Sequence, residues 1–197
     1  VSSDGNLVSA TVDGRGGLSL LSVPDRREVL RLAQGEQNVC AVISPSEPLL
    51  AFTGITLDAS RKQQSSLRLW NMATRQLITE KPLDGECVNL AIAADGGTLV
   101  TVTRGNRTTY TFGGHITLWR LPEGTELRSY PLPDSPAGFA VTPDLRLAAV
   151  SVKGIRVVEL KDGRELWNRE GYAGALALSP DGKLLANRVR RGDGFAL

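Results

Sequence analysis

Four aspartates, Asp4, Asp95, Asp144 and Asp181, sit in similar short contexts along the chain. Carboxylates brought together could do general acid–base work. Their contexts are Ser2-Ser3-Asp4-Gly5, Ala93-Ala94-Asp95-Gly96, Thr142-Pro143-Asp144 and Ser179-Pro180-Asp181-Gly182. That is turn chemistry: Pro presets φ, Asp suits the second turn position and Gly supplies positive φ. The expected role is turn capping. A Ser-His-Asp or Cys-His relay needs a histidine, and the sequence has one, His115, read as a strand residue at a loop edge. Cys40 and Cys87 form no CxxC, and no His, Cys and carboxylate cluster has metal-ligand spacing. Asp13-Gly14-Arg15-Gly16-Gly17 and Gly113-Gly114 lack the Gly-Lys-Ser/Thr of a phosphate loop and read as hairpin loops. Asn106-Arg107-Thr108 is a glycosylation sequon, meaningful only in a secretory context. No catalytic, metal or cofactor-binding residue is assigned, and no cofactor is expected.

The composition is that of a globular chain. Its 197 residues are 41% apolar and 22% charged, with 21 Gly and 10 Pro, too apolar and evenly charged for disorder. No apolar run approaches the roughly 18 residues of a membrane span. A net charge of +2 argues against bulk binding of nucleic acid or membrane, though not against a local patch. The chain begins at Val1, without a basic stretch and hydrophobic segment, so no signal peptide is read. Two well-separated cysteines exclude a disulfide-rich scaffold and favour a cytoplasmic setting.

The elements that position these residues come from an internal repeat. With Ser44-Pro45-Ser46, the turn occurs five times, its third positions being Asp4, Ser46, Asp95, Asp144 and Asp181. A second anchor keeps step: Leu20-Leu21, Leu69-Trp70, Leu118-Trp119 and Val157-Val158. Each unit reads as four short strands, a to d. Strand a is expected at Val39–Ser44, Val88–Ala93, Ala137–Thr142 and Ala173–Ser179, and strand b at Leu49–Thr53, Thr98–Thr103, Leu147–Ser151 and Leu184–Val189. Strand c carries the second anchor. Strand d lies around Val29-Leu30, Leu77-Ile78, Glu126–Tyr130 and Glu165–Arg169. The units run approximately 1-38, 39-86, 87-134, 135-172 and 173-197.

Strand a is apolar on both faces, as in Ala41-Val42-Ile43 and Leu90-Ala91-Ile92, so both faces must be buried. Stacked four-stranded units of about 45 residues describe a β-propeller. Ser179-Pro180-Asp181-Gly182-Lys183-Leu184-Leu185-Ala186, Leu69-Trp70-Asn71 and Leu118-Trp119-Arg120 resemble the WD40-repeat family in its degenerate bacterial form. The departures are clear. The family's Gly-His pair before strand a is absent, and Asn71 and Arg120 follow the tryptophans. The buried hydrogen-bonded tetrad of the eukaryotic family therefore cannot form, and the blades are expected to rely on apolar packing. Trp70 and Trp119 read as core. Asp162-Gly163 before Trp167 resembles a quinoprotein blade motif, but it occurs once, whereas such an enzyme would carry it in most blades.

The fold class expected is all-β: a propeller fragment of three complete four-stranded blades flanked by two partial ones. Both ends supply strand b, so closure by a shared blade does not fit, and the two open blade faces predict self-association. Propellers put all b–c loops at one end, and here these loops vary in length: Gly54 to Ser65 in unit two, Arg104 to Gly114 in unit three. They gather Arg15, Arg61, Lys62, Arg104, Arg107, Lys153, Arg188, Arg190 and Arg191. Acids of the d–a loops share that end: Glu36, Asp84, Glu86, Asp134 and Glu170. Arg61, Lys62, Arg104, Arg107 and Tyr110 are the candidate partner-binding residues, for an acidic protein partner. The resemblance implies a non-catalytic interaction scaffold. The alternative is a sensing or substrate-gating propeller within a larger enzyme. Cys40 within strand a of unit two and Cys87 just before strand a of unit three differ in register, so a disulfide is not expected.

Overall fold

A computed structural model describes residues 2, 4–11, 17–57, 59, 63–105, 113–171, 174–191 and 194–196. Among them every regular element is a strand, and no helix is long and apolar enough to cross a membrane. Blade 1 comprises β1 (Leu7–Thr11), β2 (Leu18–Ser22) and β3 (Arg27–Leu32). Blade 2 comprises β4 (Gln37–Ile43), β5 (Leu49–Leu57), β6 (Gln63–Asn71) and β7 (Gln76–Leu83). Blade 3 comprises β8 (Glu86–Ile92), β9 (Thr98–Arg104), β10 (Gly114–Arg120) and β11 (Thr125–Leu132). Blade 4 comprises β12 (Gly138–Val141), β13 (Leu147–Ser151), β14 (Gly154–Glu159) and β15 (Glu165–Glu170). Two hairpins follow, β16 (Leu176–Leu178) with β17 (Leu185–Asn187), and β18 (Val189–Arg191) with β19 (Gly194–Ala196). Each blade is an antiparallel meander in chain order. The chain is a partial β-propeller, with three four-stranded blades as expected.

The core lies between blades. Leu18 and Leu20 of blade 1 meet Ile43, Leu50 and Phe52 of blade 2. Leu49, Ala51, Leu67 and Leu69 use the opposite face of blade 2 and meet Leu90, Leu99 and Trp119 of blade 3. Val100, Val102, Ile116 and Leu118, on the far face of blade 3, meet Ala148 and Val150 of blade 4. Along β5, Leu49 and Ala51 therefore face one neighbour while Leu50 and Phe52 face the other, following the two-residue period of a strand. Burying one such leucine contributes about 1.5–3 kcal/mol.

The aspartates act within their turns. Thr142 Oγ1 donates to Asp144 Oδ1 at 2.6 Å, and Asp144 accepts the Arg146 N–H at 3.0 Å. The same hydroxyl accepts the Leu147 N–H at 3.0 Å. Ser2 with Asp4, and Ser179 with Asp181, repeat this three-bond clasp. Blade 2 keeps the hydroxyl of Ser44 but has Ser46 for the acid. Blade 3 keeps Asp95, which accepts the Gly97 N–H, but has Ala93 for the hydroxyl. Neighbouring turns are also tied together: Ser46 Oγ donates to the Asp95 carbonyl, and the Ala94 N–H to the Pro143 carbonyl.

Between strands c and d, the ladder slips at Leu20/Leu21, Leu69/Trp70, Leu118/Trp119 and Val157/Val158. This is one bulge repeated in four blades, beside the c–d turn, with Val29, Ile78, Leu127 and Leu166 as the extra residues on strand d. Apolar packing is not the whole account of blade 3. Trp119 Nε1 donates to Thr101 Oγ1 at 2.9 Å, with Thr101 fully buried. In blade 2 the position of Thr101 is taken by Phe52, and buried Trp70 Nε1 has no partner among the described residues. Both tryptophans pack in the inter-blade cores, as expected.

Two outcomes follow from these bonds. Thr101→Val should strand the indole N–H and cost about 1–3 kcal/mol, read as a lower urea midpoint; an unchanged midpoint would contradict the assigned bond. The hydroxyls of Thr142 and Ser179, then the backbone donors, hold Asp144 and Asp181 below the ordinary carboxylate range. Depressed folded values mean that the stabilisation is present above the unfolded value and is lost as pH falls through the folded one, below about pH 4. Replacing both aspartates by Asn should lower the melting temperature at pH 7 and narrow its drop at acid pH, measured by thermal scans.

Candidate functional site

The end of the propeller that carries the b–c and d–a connections holds the candidate site. Blade 4 ends its b–c pairing at Ser151↔Ile155. In blade 3 the ladder continues two pairs further, to Thr103↔His115 and Arg104↔Gly114. In blade 2 it continues four pairs further, through Gly54↔Ser66, Ile55↔Ser65, Thr56↔Gln64 and Leu57↔Gln63. The segment expected as a loop from Gly54 to Ser65 is thus largely strand, because the alternation of Ile55 and Leu57 with small and polar residues sustains the ladder. At about 3.3 Å per residue, the blade 2 arm extends about 13 Å beyond blade 4's hairpin.

Against this arm lies a cleft of about 520 Å³, lined by β5, β6 and β7 of blade 2 and by the turn that leads into blade 3. Ile55, Gln63, Ser65 and Arg68 form one wall, and the Asp84-Gly85-Glu86 turn the other. Arg68 reaches Glu36 at 2.6 and 2.8 Å and Glu80 at 2.8 Å, and its guanidinium lies 5.7 Å from the Phe52 ring centroid. The Arg68 and Glu36 side chains are 15% and 12% exposed, so this pair is partly desolvated and costly to break. Burial opposes the Arg68 charge, but Glu80 and Glu36 outweigh it and raise its pKa. Glu80 is held low, first by the Ser66 hydroxyl and then, against burial, by Arg68. Gly54 makes room for this network, since a Cβ there would collide with the Glu36 carboxylate. Gly85, at φ +98°, fits against the Arg104 carbonyl and would collide with it if it carried a Cβ. Ser65 Oγ is buried and has no partner among the described residues.

Of the expected partner-binding residues, Arg61, Lys62, Arg107 and Tyr110 lie outside the described residues. Arg104 ends β9 and makes a two-point ion pair with Glu86 at 2.7 and 2.9 Å. Lys153 meets Asp134 at 2.8 Å. Basic b–c residues and acidic d–a residues on the same rim are therefore joined in pairs. Asp84 has no ion-pair partner among the described residues. With Glu80 and Glu86 it makes the described lining of the cleft acid-rich. His115 is half-buried near the start of β10 and lines a smaller cleft of about 270 Å³ with Asp84, Thr117 and Trp119. Trp167 is on the outer strand of blade 4, 44% exposed. Among the described residues no group of three or more His, Cys, Asp or Glu could hold a metal ion.

Sequence reasoning passed over Arg68. Its signal was a charge inside the apolar run Leu67-Arg68-Leu69-Trp70, where blades 1 and 3 carry Ser19 and Thr117. Blade 4 carries Arg156 there, and it too meets an acid, Glu165 at 3.2 Å.

No family model matches this chain, and no curated protein matches it. Among solved structures, a chain of Kuenenia stuttgartiensis hydrazine synthase is similar, with a TM-score of 0.71 at 14% identity. The likeness covers 95% of this chain and 66% of that one. At that identity it shows the fold alone.

Removing Arg68 would leave Glu36 desolvated without its cation. Arg68→Met should destabilise the fold by about 3 kcal/mol. The double variant with Glu36→Gln should recover part of the loss in a double-mutant cycle by urea denaturation. Additive losses would mean that the pair contributes no coupling.

Proposed function

We propose that this chain is a WD40-like, non-catalytic propeller segment that binds a protein partner at its b–c/d–a end. The observation that carries the reading is the blade 2 arm, which stands four residue pairs beyond blade 4's hairpin and walls a polar cleft. Rigid, projecting hairpins over a groove suit protein recognition, because their backbone order is already established before binding. The Ser-Pro-Asp-Gly turns and Leu-Trp anchors support the WD40-like assignment. The charged groups support a non-catalytic role. Asp4, Asp144 and Asp181 cap turns, and Glu36, Glu80 and Glu86 hold arginines. Arg61 and Lys62 fall in the stretch between β5 and β6, and Arg107 and Tyr110 in that between β9 and β10. They suit an acidic partner surface, while Asp84 in the cleft would turn aside acidic groups that reach deeper.

The test compares the two ends of the propeller within the full protein. A photo-crosslinking residue replaces Leu57 on the arm or Lys161 on a c–d turn, both exposed. A protein adduct from position 57, absent from position 161, is the expected result. Charge reversal of Arg61 and Arg107 should weaken that adduct and reduce its sensitivity to salt. Adducts from position 161 alone, or from neither position, would refute the reading.

A further inference from the structure

Cys40 and Cys87 were expected to lie apart, and the structure brings them into contact. One bulge matters here: the β8–β9 ladder slips between Cys87 and Asn89. A bulge breaks the two-residue alternation and re-aims the side chains beyond it. Cys87 consequently points with Leu90 and Ile92 toward blade 2, while Cys40, in regular alternation with Val42, points toward blade 3. The Cys40 thiol donates to the Cys87 carbonyl at 3.5 Å, and the Cys87 thiol to the Asn89 carbonyl at 3.2 Å. Both are free thiols, Cys40 half-buried and Cys87 2% exposed.

We infer that Cys40 and Cys87 form an oxidisable thiol pair that closes to an inter-blade disulfide by exchange with a low-molecular-weight disulfide. The two residues differ in the parts they can take. Hydrogen bonding with the Cys87 thiol, against the cost of burial, lowers the Cys40 pKa. The same contact, then burial, raises that of Cys87. Cys40 is thus both the accessible sulfur and the one that ionises first, which makes it the attacking group. Its thiolate attacks one sulfur of oxidised glutathione, the glutathione S–S bond breaks, and one glutathione leaves as the thiolate. Cys87 loses its proton to solvent and attacks Cys40 Sγ, and the second glutathione leaves. The two released thiolates take up the two protons given by the protein. Two protein thiols are oxidised and one glutathione disulfide is reduced.

The bond would tie blade 2 to blade 3 one residue from Glu86, at the edge of the large cleft. The test uses the full protein in reduced and oxidised glutathione buffers, with and without concentrated urea. Alkylation and peptide mass spectrometry count the Cys40–Cys87 disulfide. Because the fold already juxtaposes the thiols, its formation constant should be at least tenfold larger in the folded chain than in the unfolded one, about 1.4 kcal/mol. The urea midpoint should rise on oxidation, as linkage requires. Cys87→Ser should stop at a glutathione adduct on Cys40, and Cys40→Ser should leave Cys87 unmodified while folded. A formation constant no larger in the folded chain, or only intermolecular and glutathione adducts in the wild type, would overturn the inference. Neither measurement on the wild-type chain depends on whether the serine variants fold.

Discussion

A blade of this protein is apolar on both faces, and no blade can bury both by itself. Leu50 and Phe52 need blade 1, while Leu49 and Ala51, on the same strand, need blade 3. The hydrophobic effect is proportional to apolar area removed from water and has no direction. The strand period supplies the direction, sending alternate residues to opposite neighbours. Stability is therefore a property of consecutive pairs, as in other repeat architectures. The turn-to-turn bonds from Ser46 to Asp95 and from Ala94 to Pro143 follow the same pairwise rule.

Pairwise burial leaves each repeat free to vary where its neighbours do not press on it. The turn clasp is whole at Ser2-Asp4, Thr142-Asp144 and Ser179-Asp181, and halved in two different ways in blades 2 and 3. The c-strand position of Arg68 is Ser19, Thr117 and Arg156 elsewhere, and each finds a polar partner on strand d: Glu28, Ser129 or Glu165, with Glu80 opposite Arg68 itself. The cross-strand pair is what persists, while its chemistry changes from blade to blade. Trp70 and Trp119 show the limit of such drift. One indole keeps a hydroxyl partner, and its counterpart has a phenyl ring where that hydroxyl would be.

The spacing of the turns and of the Leu-Trp anchors was enough to locate the blades, because both signals are local and each recurs. The b–c end of the propeller was legible for the same reason. Three features were not. The blade 2 arm reads as a loop, since Gly54 and the polar run Gln63-Gln64-Ser65-Ser66 carry turn composition, yet the ladder extends through them. The Cys40–Cys87 contact depends on a bulge after Cys87 that no residue type announces. The pairing of Arg104 with Glu86 and of Lys153 with Asp134 depends on b–c and d–a segments being laid side by side. A summed charge for the rim registers these ions but not that they are matched one to one.

The unequal b–c hairpins have a consequence for recognition. A ring of equivalent blades offers a visitor the same footing at every rotation, so several orientations compete at equal free energy. Ladders that continue four pairs, two pairs and none past the common point remove that degeneracy. The rim becomes an indexed edge, and among the described ladders that of blade 2 reaches furthest, beside the cleft it walls. A visitor shaped to that edge has one azimuth at which it seats.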